Sequence, residues 1–162
     1  MITLLIVAAA AVLGSFAGYW IHRALHQPWS GPFHRGHMEH HLEVYPTTRL
    51  TSDTYEVKKW YHSGPVLFTP AAVVLLVVGA ALTWLLGVSL WNFLAFGLGL
   101  VGFGLLNDWV HDSFHLREHI LHKLPYYRKL RRLHFLHHFD MEKNYGIVSL
   151  HWDSVFKTKK DT

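Results

Sequence analysis

Residues 90–115 read LWNFLAFGLGLVGFGLLNDWVHDSFH. From Leu90 to Trp109 the only charged residue is Asp108, next to the far end. At ~1.5 Å of rise per residue, such a helix crosses about 30 Å, the hydrocarbon thickness of a bilayer. It then delivers His111 and His115 at i and i+4, on one helix face just past the membrane boundary. A membrane-crossing helix that ends in paired imidazoles sets the question for the rest of the chain.

Outward from this stretch the same pattern recurs. No Asp, Glu, Lys or Arg occurs from Met1 to His22 or from Trp60 to Asn107. The 15 Lys and Arg and the 11 Asp and Glu crowd into the two remaining stretches, which a soluble domain would not do. Ile2–Ile21 is a first span. It lacks the positive start of a signal peptide and its apolar run is too long for one, so it reads as a retained helix. Pro65–Leu86 is a second span and Leu90–Trp109 the third, with Gly87, Val88 and Ser89 as the turn between them. Gly97, Gly99, Gly102 and Gly104 suit close helix packing in the third. The expected architecture is all-α: one domain over residues 1–162, about three transmembrane helices, and a cytosolic helical cap.

Direction matters most. Span one ends at His22, the hairpin turns on the far side, and span three returns to His111, so all the histidine clusters emerge on one face. Every Lys and Arg lies on that face too, which marks it as cytoplasmic. The net charge of +4 is therefore read as a membrane feature and not as a nucleic-acid surface. Trp20, Trp60, Tyr61 and Trp109 belong at the near interface, Trp84 and Trp91 at the far one. There is no Cys, which excludes disulfides, Cys-type zinc sites and iron–sulfur clusters.

Ten of the 15 histidines form four clusters: His22/His26, His37/His40/His41, His111/His115 and His134/His137/His138. Two clusters share the pattern H-x-x-H-H, in which the adjacent third imidazole is rotated by about one residue step so that it can reach a neighbouring ion. The ten divide naturally between two metal ions, about five each. The polar segments place them on helices: one from Pro32 to before Pro46, a short amphipathic one opened by Asp53 and Glu56, one over Leu116–Leu124, and a basic one from Pro125 to His138 carrying Arg128, Lys129, Arg131 and Arg132. That basic face suits anionic headgroups or an electron donor. Asp108, Asp112 and Asp140 are candidates for the outer shell that orients metal-bound imidazoles, and Glu118 is similarly close. An all-imidazole set disfavours hard oxygen-seeking ions, and no H-E-x-x-H is present. A pair of irons fits best, with zinc as a substituting metal.

These residues resemble the fatty acid hydroxylase/sterol desaturase superfamily of integral-membrane di-iron enzymes. The likeness runs from His22 to Thr158. It rests on H-R-x-L-H at 22–26, H-x-x-H-H at 37–41 with Tyr45-Pro46, D-x-x-H-x-x-x-H at 108–115, and H-x-x-H-H-F at 134–139. It closes on Asn144-Tyr145-Gly146 and on Trp152-Asp153-Ser154-Val155-Phe156-Lys157-Thr158. The resemblance implies dioxygen-dependent hydroxylation or desaturation of a lipid, with the ten clustered histidines as metal ligands. His34, His62, His119, His122 and His151 fall outside the matched positions; His119 and His122 are in helical phase with His115, and His151 precedes Trp152-Asp153. No cytochrome or flavin region accompanies the motifs, so electrons are expected from a separate donor such as a ferredoxin or cytochrome with its reductase. Carotenoid ring hydroxylation is the neighbouring alternative, although the closing motif looks more like the fatty acid/sterol branch. Outside the superfamily the alternatives are a membrane metal-binding or transport protein and a zinc hydrolase. Transporters usually carry polar ligands inside their spans, and these spans are bare.

Overall fold

The computed structural model describes residues 2–56, 64–87 and 89–162. Three long helices dominate: α1 (Ile2–Leu25), α3 (Gly64–Leu85) and α4 (Leu90–Phe114). Shorter helices α2 (Pro32–Glu39), α5 (Pro125–Phe139) and α6 (His151–Val155) sit with the loops at one end. No strand forms among the described residues; Ser52 and Leu116 make a single bridge.

Two helices among the described residues are long and apolar enough to cross a membrane, Thr3–Leu25 and Leu90–Phe114. Only 11% and 17% of their most apolar windows is buried. A soluble core helix would be mostly buried, so these exposed apolar faces point to lipid contact. Within α3, Ala72–Leu82 is a shorter apolar stretch. Gly87 closes the turn before α4 at φ +62°, a conformation that favours glycine, and the Ser89 hydroxyl caps α4 by accepting from Asn92 N–H. Val88 lies outside the described residues, as do Trp60, Tyr61 and His62. Trp20, Trp84, Trp91 and Trp109 are exposed, as residues of interfacial belts would be.

α4 is the central helix, with α1 packed along it and α3 on another side. Gly99 permits the α1 contact: a Cβ there would stand 3.1 Å from Ala10 Cβ. Beyond the spans, Val110, Phe114, Tyr127, Leu130, Leu133, Ile147 and Leu150 form a compact core between the end of α4, α5 and the C-terminal segment.

α4 runs on past the span end at Trp109 to Phe114 and carries His111 on its last turn, as the paired imidazoles after span three required. Two details differ from the sequence expectation. Leu116–Leu124 is not a continuous helix; only Ile120–Lys123 makes a 3₁₀ turn. Arg131 explains the break, because its guanidinium donates to the carbonyls of Phe114 (2.8 Å) and Leu116 (3.0 Å) and so caps the end of α4. Finally, Asp53 to Glu56 is not helical; Asp53 pairs instead with Arg117 at 2.8 Å. The remainder of that expected helix, up to Trp60, falls outside the described residues.

Candidate metal centre

All ten clustered histidines converge at the membrane-boundary end of α1 and α4. His22, His26, His37, His41 and His137 form one group whose ring nitrogens lie within 4.8 Å of one another. His40, His111, His115 and His134 form a second on the same criterion, and His138 groups with His40 and His41. His138 Nε2 is also 3.2 Å from His134 Nε2, which ties it to the second group. Each H-x-x-H-H motif is thus split. His37 and His41 go to the first group and His40 to the second, while His134 and His138 go to the second and His137 to the first.

The second motif divides its rings on the regular α5, while the first also departs from regular helix. After Glu39 the chain widens into a π-helical segment, His40–Val44, closed by Tyr45 N–H donating to His40 O at 2.8 Å. Such segments are rare and concentrate at functional sites. Pro46, lacking an N–H, follows directly.

Backbone carbonyls orient the rings. The Nδ1–H of His22 donates to Tyr145 O (2.7 Å), that of His115 to Leu50 O (2.8 Å) and that of His138 to Tyr45 O (2.9 Å); His137 Nδ1–H donates to Lys143 O. A ring that gives its Nδ1 proton to a carbonyl presents a bare lone pair at Nε2, the atom turned toward the groups. Tyr45 acts twice, since its ring also stacks on His115 with centroids 4.1 Å apart.

The Nε2 separations test whether a metal fits. His26 Nε2 is 2.9 Å from both His137 Nε2 and His37 Nε2, and His41 Nε2 is 3.1 Å from His37 Nε2. In the second group His134 Nε2 is 3.0 Å from His115 Nε2 and 3.2 Å from His138 Nε2. One N–H on His134 cannot serve two facing lone pairs. A shared cation serves all of them. Ligands at ~2.0–2.1 Å from one ion stand about 2.9 Å apart at right angles and about 3.3 Å apart at tetrahedral angles, and the observed separations fall in that range. The Nε2 atoms of His22 and His40 are buried without a hydrogen-bond partner among the described residues, which a metal would also satisfy.

Burial pushes His37, His40, His41, His115, His134 and His137 well below the ordinary histidine range, and neighbouring imidazoles add to the effect. His138 falls to about 3 and His26 to about 4, again chiefly through burial. Neutral imidazole is the ligand form, so the pocket holds its donors ready at neutral pH.

The carboxylates take different places. Asp112 Oδ1 lies 3.4 Å from His111 Nδ1. Asp108 sits one turn earlier and makes no hydrogen bond to a histidine among the described residues. Asp140 turns away and pairs with Lys160 at 2.8 Å. The five unmatched histidines stand apart from the groups where they are described. His34 Nδ1–H donates to Leu25 O (2.9 Å), His119 packs on Trp109 and His122 on Tyr127, and His151 lies exposed against Trp152.

Sequence spacing did not single out Asp153. It is fully buried and accepts from Tyr145 N–H, Gly146 N–H and the Thr158 hydroxyl, each at 2.8 Å. The peptide it grips carries the Tyr145 carbonyl that holds His22. Asn144 precedes it at φ +54°, a left-handed position that asparagine tolerates, and its side-chain amide donates to Leu133 O and Lys160 O. The closing motif then docks on α1: Trp152 Nε1–H donates to Ser15 Oγ (2.9 Å) and Phe156 stacks on Tyr19.

A model of the fatty acid hydroxylase family matches residues 7–158, and the chain belongs to that family. It is a membrane-associated, metal-dependent family, generally of oxidoreductases. Comparison with curated proteins gives no match, and neither does comparison with solved structures.

Proposed function

We propose that the protein is an integral-membrane di-iron oxygenase that hydroxylates or desaturates a C–H bond of a lipid with dioxygen and external electrons, most closely of the fatty acid/sterol type. The observation that carries this reading is the convergence of bare Nε2 lone pairs into two groups, which together contain all ten clustered histidines. Family membership supplies the reaction class.

In this reading His22, His26, His37, His41 and His137 hold one ion, and His40, His111, His115, His134 and His138 the other. Iron, when bound, supplies the redox chemistry that activates dioxygen. The chain's own part is positioning and exclusion of water. Carbonyls of Leu50, Tyr45, Lys143 and Tyr145 fix the ring tautomers, and Asp112 steadies His111. The whole chain works as one domain with three spans, α3 being the second. The site faces the cytoplasm, where a separate ferredoxin or cytochrome donor reaches it beside the basic face of α5.

Metal analysis of purified protein tests the reading. Two irons per chain, with dioxygen-dependent turnover of extracted lipids followed by mass spectrometry, is the expected result. His41→Ala and His138→Ala should each lose metal and activity together. Full metal content in either variant would remove that residue from the ligand set. Zinc alone with turnover that needs no oxygen would overturn the proposal.

A further inference from the structure

An apolar cleft opens between α1, α3 and α4 on the membrane side of the histidines. Small residues make the space: Gly14, Ala17 and Gly18 from α1 and Gly104 from α4, with Leu75 of α3 opposite. A Cβ built on Gly104 meets nothing within 4 Å, so the space there is genuinely free. The upper end of the cleft reaches Ile21, the neighbour of the first histidine.

One wall residue is out of character. Asn107 lines this cleft, is only 7% exposed, and its side-chain amide makes no hydrogen bond among the described residues. An amide carries two donors and an acceptor; here they line the cleft, and leaving them unpaired beside hydrocarbon is costly. Polar side chains in spans normally find a partner on the next helix. Here the facing position on α1 is Gly18, which has nothing to offer; a Cβ there would stand 3.8 Å from Asn107 Oδ1. Asn107 precedes His111 by one helical turn, roughly 6 Å along α4.

We propose that Asn107 is a specificity-determining residue whose amide receives a hydroxyl or carbonyl oxygen already present on the lipid substrate. The cleft then takes a lipid that bears this oxygen a few bonds from the carbon to be oxidised, and a plain hydrocarbon chain is the poorer ligand. Gly18 and Gly104 keep room for the oxygen-bearing part. The inference rests on the oxygenase reading for what happens to the lipid, but binding alone tests it.

The test uses full-length protein in nanodiscs, with metal content measured on every sample. The probes are octadecane, octadecanes carrying one hydroxyl at successive positions, and a sterol with and without its 3-hydroxyl. At least one oxygenated probe should bind about tenfold more tightly than its matched parent, which is what one hydrogen bond is worth. Asn107→Leu should abolish that preference while the parent binds as before. Gly104→Leu should weaken binding of every probe, with metal content unchanged. A preference that survives Asn107→Leu, or no preference in the wild-type protein, overturns the assignment even if two irons are bound. Absence of iron with the Asn107-dependent preference intact would instead sink the oxygenase reading and leave this one standing.

Discussion

At Asp153 a buried carboxylate accepts three hydrogen bonds of 2.8 Å, two of them from consecutive backbone N–H groups. That grip sets the peptide whose carbonyl orients His22, so a residue that touches no histidine directly governs the aim of one. Asp153→Ala would leave the Tyr145 and Gly146 N–H groups buried and unpaired, each at a cost of ~1–3 kcal/mol. The expected loss is roughly 3 kcal/mol of stability, together with weaker metal retention in the group containing His22. Thermal unfolding of the metal-loaded and chelator-treated variant, with metal analysis, checks both. Gly146→Ala should be as damaging, because a Cβ there would collide with the Ser149 carbonyl and stand 2.7 Å from Asp153 Oδ2. At this scale the histidines were legible and their supports were not. Imidazoles spaced by three and four declare a shared face on any helix. The carbonyls of Leu50, Tyr45, Lys143 and Tyr145 carry no side-chain signature, and Asp153 appeared only as one letter of a closing motif. The acids nearest the ligands in sequence proved a poor guide: Asp140 is drawn off by Lys160, because a C-terminal tail that sequence cannot fold back supplies the counter-charge.

Between His40 and Val44 the helix widens to π geometry, yet His137 and His138 part between the groups on the regular α5, so the H-x-x-H-H spacing itself divides the rings. The spacing H-x-x-H-H promised such a split, but a uniform helix up to Pro46 was the natural expectation. The π segment depends on Tyr45, which is anchored from outside by its stack on His115 and by its hydroxyl, which donates to Ser52 Oγ and accepts from Glu56 N–H. Deleting Leu42, which is 58% exposed and so contributes little packing, should restore an α-helical turn. The deletion would move Tyr45 off His138 and His115. We expect it to lose the metal held beside His40 and His138 while part of the other remains, so that metal analysis reads fewer than two ions per chain. α5 offers a second element-scale prediction. Lys129, Arg128 and Arg132 are exposed, whereas Arg131 is occupied by the end of α4. Reversing those three exposed charges to Glu should slow reduction by an acidic ferredoxin or cytochrome by about tenfold at low salt, with metal content unchanged. An effect that persists undiminished in high salt would speak against electrostatic docking.

Over the whole molecule, exposed apolar helix surface lies on one side and the buried imidazoles on the other. Leu4, Leu5, Val12, Leu98 and Leu105 are exposed along α1 and α4, and Trp84 and Trp91 stand 82% and 80% exposed at the turn remote from the histidines. Charge distribution made this division readable before any fold was known, since long runs without Asp, Glu, Lys or Arg leave few alternatives to a bilayer. How α1, α3 and α4 pack was not readable, because periodicity does not say which faces of uniformly apolar helices meet. The proposed three-span topology places Trp29, in the loop after α1, on the cytoplasmic side and Ser89, in the hairpin, on the other. The chain has no cysteine, so it is a ready background for labelling. Trp29→Cys, at a position 76% exposed, should react with a membrane-impermeant maleimide in inside-out vesicles and not in intact cells. Ser89→Cys should show the reverse pattern. If both label from the same side, α3 does not cross the membrane together with α4. If both patterns invert, the histidine site faces away from the cytoplasm, and an electron donor there would have to be sought in the other compartment.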